Sequence, residues 1–206
     1  MEDTLLEYIP VIGDIYRYGK LGYKIGGWLS NNSATDELLS RMASVIQSAC
    51  NAGTIDESYQ YLSNFNNLIN QYNGGLKYQN ALFIFLTAKA THLLALCEWA
   101  NNASDLEGLK KVDKIFKFAN TVCSNISEIN MTLLTTNRDM IKEIRSLVAE
   151  EKKNIRDSEM KWRKHCSKLY RIEHPWKFWL GRVSIPVVII SVSIISYLFV
   201  YFLSIS

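Results

Sequence analysis

Apolar residues recur every three or four positions through most of the chain, which predicts an all-α fold. Several of these runs follow a hydroxyl residue with a carboxylate three positions later, the pattern of a helix N-cap. We therefore predict a helical bundle over residues 33–160. The expected capping pairs are Ser33 with Asp36, Thr54 with Glu57, and Ser104 with Glu107.

Residues 76–100 are apolar almost all round, and two interpretations compete for them. The segment has the length of a membrane span, but Lys89 and His92 would then lie near the bilayer centre at a cost of about a few kcal/mol. A core helix surrounded by other helices avoids that cost. We favour the core helix, in which His92 is a buried histidine with satisfied hydrogen bonds.

From residue 104 to residue 172 the apolar spacing alternates between three and four, which resembles a coiled-coil heptad seam with a stutter. We expect a break or kink near residue 136, within Thr135-Thr136-Asn137, and leave open whether this stretch is one helix or two. Glu151 and Ser158 fall on the seam and weaken the coiled-coil interpretation of its second half. The adjacent Glu150 and Glu151 are interpreted as solvated helix charges.

Near its end the chain has 21 consecutive uncharged residues, 183–203. At about 1.5 Å per residue such a helix is roughly 30 Å long, the thickness of the bilayer hydrocarbon. Pro186 falls in the first turn, and serines at four positions can hydrogen-bond back to the helix backbone. We predict one C-terminal transmembrane anchor preceded by a long helical arm. The four serines are Ser184, Ser191, Ser193 and Ser196.

Charge is distributed unevenly about this span: residues 161–206 carry seven Lys and Arg against one Glu, whereas residues 1–160 carry 16 against 19 acidic residues. The positive-inside rule then places residues 1–182 in the cytoplasm, on the endoplasmic reticulum or secretory pathway or on a bacterial inner membrane. The mildly acidic remainder predicts no nucleic-acid partner. In the basic, aromatic juxtamembrane segment 161–182 we expect contacts with anionic lipid head groups from Lys161, Arg163, Lys164, Lys168, Arg171, Lys177 and Arg182, and an interfacial belt of Trp176, Phe178 and Trp179.

The first 32 residues are predicted to form a glycine-rich amphipathic helix. Within it one face carries glycines at the spacing that allows close helix packing, beside a separate basic stripe. We favour a tightly packed first helix, and the alternative is a segment that enters a bilayer and oligomerises. This start resembles that of the HeLo-type helical bundles of death effectors, although no specific motif is shared. The face comprises Gly19, Gly22 and Gly26, and the stripe comprises Arg17, Lys20 and Lys24.

No common phosphate-binding, hydrolase or metalloprotease motif occurs, and the four cysteines are widely separated. We therefore expect reduced thiols, no catalytic residue, no metal and no cofactor. The favoured function is a tail-anchored, non-enzymatic adaptor or regulator that works through a protein partner or self-association. The alternatives are a membrane-permeabilising effector using the N-terminal helix and a fusion or tethering protein of the SNARE type.

Overall fold

The computed structural model describes residue 29 and residues 33–125, 138–177 and 189–195, except for the side chains at 77, 125 and 138–141. This part of the chain is helical and contains no strand, which confirms the all-α prediction. A helical turn at 175–177 and a helical segment at 189–195 follow the longer elements. The five long helices are α1 (Ala34–Asn51), α2 (Ile55–Ile69), α3 (Lys77–Asn101), α4 (Leu106–Asn125) and α5 (Arg138–Glu173).

The first two helices begin where the capping pattern predicts. The Ser33 side chain accepts a hydrogen bond from the Asp36 backbone N–H at 3.1 Å, and Thr54 accepts one from Glu57 at 3.2 Å. Each cap satisfies a backbone donor that has no partner inside the helix. Gly74, in the loop before α3, has a φ of +89°, a backbone conformation that favours glycine.

The cap predicted at Ser104 is wrong by one residue. Asp105 caps α4 instead, because its carboxylate accepts hydrogen bonds from the backbone N–H groups of Glu107 and Gly108, both at 3.0 Å. An aspartate is as effective at this position as a serine, and its second oxygen reaches a second donor. The helix therefore begins at Leu106.

α3 lies at the centre of the first part of the fold and packs against α1, α2 and α4. Gln79 Nε2 donates to Asp36 Oδ1 at 2.8 Å, so α1 and α3 start at the same end and run parallel. Tyr59 near the start of α2 donates to Glu98 near the end of α3 at 3.1 Å, so these two helices are antiparallel. Neighbours on several sides bury side chains all round α3.

Among the described residues, one helix is long and apolar enough to cross a membrane, and it is this central helix, over Tyr78–Asn101. Its mean hydropathy is 1.5, and 72% of the most apolar stretch is buried inside the protein. A buried core helix and a membrane span share length and composition, so burial by other helices is the distinguishing observation. The packing of α3 favours the core-helix interpretation. The predicted C-terminal span lies outside the described residues except at 189–195.

The chain reverses direction between α4 and α5. Asn120 Nδ2 donates to Glu159 Oε2 at 2.9 Å, whereas one continuous helix would separate these two residues by about 58 Å. Residues 104–172 therefore form two antiparallel helices. The exact site of the break predicted near residue 136 lies in 126–137, outside the described residues.

Both helices present one buried stripe to the core, with the predicted spacing of three and four residues. On α4 the last buried residue of the stripe is Cys123, whereas its neighbour Val122 is partly exposed. On α5 the polar positions Glu151 and Ser158 are buried along with the apolar ones. The α4 stripe comprises Leu109, Val112, Phe116, Ala119 and Cys123, and the α5 stripe comprises Ile144, Val148, Glu151, Ile155, Ser158 and Trp162.

The chain divides into two compact units, Met1–Arg163 and Lys164–Ser206. In the second unit, the side chains of Ile172 and Trp176 are 74% and 80% exposed. Residues 189–195 are helical, and their five Ile and Val side chains are all exposed. Ser193 Oγ donates to the Ile189 carbonyl at 2.8 Å, the backbone hydrogen bond predicted for serines in this segment.

Candidate functional site

Four polar side chains meet in the core of the first unit, where α3 contacts α5. Lys89 Nζ lies 2.8 Å from Glu151 Oε2, and His92 Nδ1 lies 2.6 Å from Glu151 Oε1. On the other side of the imidazole, His92 Nε2 lies 3.0 Å from Ser158 Oγ. All four residues are between 1% and 5% exposed, so water does not screen these contacts. We refer to Lys89, His92, Glu151 and Ser158 as the buried network.

Sequence spacing explains why these side chains converge. Lys89 and His92 are three residues apart on α3, and Glu151 and Ser158 are seven apart on α5, so each pair lies on one helix face. The neighbouring face of α4 contributes Phe116, whose ring centroid lies 6.2 Å from that of His92. The Phe116 ring thus covers one side of the network.

The protonation pattern follows from the geometry. An ionised Glu151 can only accept hydrogen bonds, so His92 Nδ1 carries a proton and donates it. In the neutral imidazole, Nε2 then accepts from the Ser158 hydroxyl. Every member of the network has a partner, which is the condition under which buried polar groups are tolerated.

The opposite charges of Lys89 and Glu151 attract each other, and this attraction offsets part of the cost of burying them. Burial raises the pKa of Glu151, but Lys89 and His92 outweigh it and hold the pKa at about 2, below the ordinary value of 4.5. Burial lowers the pKa of Lys89, and the Glu151 carboxylate offsets this only in part. The carboxylate is therefore the group whose charge the fold depends on.

Acid should weaken the fold through Glu151. Because its pKa is depressed from 4.5 to about 2, the ionised form contributes stability above pH ~4.5 that is lost as the pH falls through about 2. A difference of this size corresponds to about 3 kcal/mol. Urea unfolding between pH 5 and pH 2 should show the wild type losing about 3 kcal/mol more than Glu151→Gln. Equal pH dependence in the two proteins would contradict the assignment, and Glu150→Gln, changed at an exposed neighbour, should follow the wild type.

Part of the network has the connectivity of a hydrolase catalytic triad. A serine is hydrogen-bonded to a histidine, which is hydrogen-bonded in turn to a carboxylate, here Ser158, His92 and Glu151. Two further requirements are unmet around them. Ser158 is 5% exposed, so no substrate atom reaches its Oγ, and it lies inside α5, where neighbouring backbone N–H groups bond to the helix and cannot stabilise an oxyanion. The geometry favours a structural role for these three residues.

Three cysteines are buried in the core as free thiols, and two of them, Cys50 and Cys123, lie close enough to interact electrostatically with Lys89 and Glu151. Burial raises the pKa of Cys50 and of Cys123 to about 11, and it also raises the pKa of Cys97. A protonated, buried thiol is a poor nucleophile and a poor metal ligand. Within the described residues, no group of three or more His, Cys, Asp or Glu side chains could hold a metal ion.

An open groove of about 790 Å³ runs between α1 and α2. Most of the residues that line it are polar, among them Glu37 and Arg41 from α1 and Asn64 and Asn67 from α2. Ligand sites are usually concave and largely apolar. This groove is open to solvent and lacks the enclosure that is typical of a small-molecule site.

The structure places the described basic residues of the juxtamembrane segment and Trp176 at the surface, where lipid contact requires them. Arg163 is paired with Glu159 at 2.6 Å, and the Trp176 side chain is largely exposed. Arg182, Phe178 and Trp179 lie outside the described residues, as do the glycine face and the basic stripe of the N-terminal helix. The exposed basic residues are Lys161, Arg163, Lys164, Lys168, Arg171 and Lys177.

The interpretation of Glu151 as a solvated charge is wrong, because its side chain is 2% exposed and bonded to Lys89 and His92. Glu150, the other member of that pair, is exposed as expected. The signal was present in the sequence: Glu151 and Ser158 fall on the apolar seam of α5, and α3 has a lysine and a histidine in an otherwise apolar face. Polar residues on the apolar faces of two core helices indicate that these residues bond to one another. The interpretation of His92 as a buried histidine with satisfied hydrogen bonds agrees with its two contacts.

Comparison with protein-family models, curated proteins and solved structures gives no match for this chain.

Proposed function

We propose that this chain is a tail-anchored, non-enzymatic adaptor or regulator whose helical body acts at the cytoplasmic face of a membrane through protein contacts. The observation that carries the proposal is the segment 189–195, a helix with exposed Ile and Val side chains within residues 183–203, none of which is charged. Five exposed branched apolar side chains in two turns are costly in water and favourable in lipid. The anchor is residues 183–203.

Exposed basic side chains before this segment support the orientation. Described Lys and Arg residues of 161–177 are at the surface, and no acidic residue follows Glu173. Basic residues next to a span remain on the cytoplasmic side, where anionic lipids attract them. Residues 33–160 then form a bundle in the cytoplasm.

The non-enzymatic part of the proposal is supported by the buried network. The one serine–histidine–carboxylate arrangement within the described residues is closed to substrate and serves to pair charges between α3 and α5. A helical body whose polar core residues serve its own folding is suited to present its outer helix faces to a protein partner. Membrane permeabilisation by the glycine-rich helix and SNARE-type fusion are the outcomes that would replace this proposal.

Flotation and protease protection test the anchor and its orientation together. Full-length protein inserted post-translationally into sealed vesicles should float with them after a high-salt wash, and external protease should digest residues 1–182. A variant ending at Arg182 should remain at the bottom of the gradient. A control with the order of residues 183–203 shuffled should still float, because spanning depends on length and apolar composition.

Protection of the whole body from protease would overturn the cytoplasmic orientation. Flotation of the variant ending at Arg182 would overturn the single C-terminal anchor and point to α3 or the N-terminal segment as a membrane contact. Release of a trapped dye by the wild-type protein would favour the permeabilising effector, and vesicle fusion would favour the SNARE-type alternative.

A further inference from the structure

The outer face of α4 carries lysines around an exposed phenylalanine. Phe118 is 56% exposed, although the Phe116 side chain two residues before it is fully buried. The lysines on this face are also exposed. We define the α4 basic face as Lys110, Lys111, Lys114, Lys117 and Phe118.

Helical geometry places these five residues together. At 100° per residue, the α4 basic face covers an arc of about 120°, with Lys114 almost opposite the buried stripe that contains Val112 and Phe116. Phe118 lies between Lys114 and Lys111 on this arc. An aromatic side chain held in water among positive charges gains free energy by entering an interface with an anionic, partly apolar surface.

Acidic neighbours neutralise only part of the face. Lys110 pairs with Glu107 and Lys117 with Asp113, each pair one helical turn apart, and both lysine side chains are largely in solvent. Exposed pairs of this kind are weak and screened by salt. Lys111 and Lys114 form no ion pair with the residues that the structure describes. The face therefore keeps a positive centre next to Phe118.

The α4 basic face lies next to α5 near Arg163, the last residue of the first unit. Glu159, which holds the Arg163 side chain, accepts from Asn120 of α4 at 2.9 Å. Asp113, the partner of Lys117, lies close enough to Arg163 to help raise the pKa of its guanidinium. The α4 basic face is thus continuous with Arg163, one of the residues proposed to contact lipid head groups.

We propose that the α4 basic face is a second membrane contact, which holds the helical body against anionic lipid head groups through its lysines and inserts Phe118 at the interface. The inference rests on the proposed function, since a membrane must first be brought close by the anchor. A lipid surface fits better than a protein partner because the charges are spread over an arc without a groove and Phe118 projects from it.

Photo-crosslinking in the full-length protein tests this contact. The photoreactive residue p-benzoylphenylalanine is placed at Phe118, or at Tyr61 of α2 as the matched exposed aromatic control, and the protein is inserted into vesicles of phosphatidylcholine with phosphatidylserine. Mass spectrometry should find lipid adducts at position 118 at several times the yield at position 61. Vesicles of phosphatidylcholine alone should reduce the yield at 118 to that of the control.

Changing Lys111 and Lys114 to Glu should lower the adduct yield at 118 severalfold, since each lysine near an anionic surface contributes about fivefold in affinity. Equal yields at positions 118 and 61 in protein that floats with the vesicles would overturn the second contact and leave the anchor intact. A crosslink from 118 to a second copy of the chain would also overturn it in favour of self-association. Protein that fails to float would overturn the anchor itself, so the two failures are distinguishable.

Discussion

Replacing Glu151 with Gln should lower the free energy of unfolding by about 3–5 kcal/mol, the usual cost of removing one partner from a buried ion pair. The amide can still accept from His92, but the Lys89 cation would remain in the core without a compensating charge. Total stabilities of about 5–15 kcal/mol leave a small margin for a loss of this size. Urea denaturation followed by far-ultraviolet circular dichroism measures it.

The neighbouring Glu150 gives a matched control, because it is the same residue type on the same helix but is exposed. Glu150→Gln should change the free energy of unfolding by at most about 0.5 kcal/mol. The double variant Lys89→Met with Glu151→Gln should recover much of the loss, since neither charge is then buried alone and the Gln amide still accepts from His92. A double variant less stable than Glu151→Gln would show that the charges are not coupled in the way we describe.

Replacing Phe116 with Ala should cost about 3–5 kcal/mol, the typical effect of removing a buried phenylalanine. Its ring is completely buried and lies between His92 and Trp162, with ring centroids at 6.2 and 6.0 Å. The resulting cavity would adjoin the buried network and admit water beside charges that are now dry. Thermal and urea unfolding should both shift.

Phe118 is the control for this substitution, because it is the same residue type two positions later on α4 and is 56% exposed. Phe118→Ala should change stability by about 0.5 kcal/mol or less in the absence of membranes. Similar losses for the two variants would mean that α4 does not present Phe116 to the core in the register described. A smaller loss at Phe116 would mean that the core closes around the space.

Local signals in the sequence located the helices well. The hydroxyl caps at Ser33 and Thr54 and the apolar stripe of α4 were predictable because each depends on residues within one or two turns. The cap at Ser104 failed because Asp105 offers a competing and equally good acceptor one position later. Which of two adjacent residues caps a helix depends on the backbone conformation of the loop before it. The residue pattern around the cap does not specify that conformation.

The buried network could be predicted only in part. Lys89 and His92 were recognised as belonging to a core helix, but their partners on α5 are 59 to 66 residues away in the chain. Sequence spacing within a helix indicates which residues share a face and leaves open which face of another helix they meet. Glu151 was consequently assigned to solvent, although its position on the apolar stripe already indicated burial.

The order of synthesis gives the Lys89 and His92 side chains a second consequence. α3 is synthesised before Glu151 and Ser158, and until those residues are available the chain contains a helix that is apolar enough to be recognised as a membrane span. A lysine and a histidine near its middle make insertion costly while their partners are still missing. The same groups that join α3 to α5 in the folded protein therefore oppose the insertion of α3 into a membrane while the chain is being made.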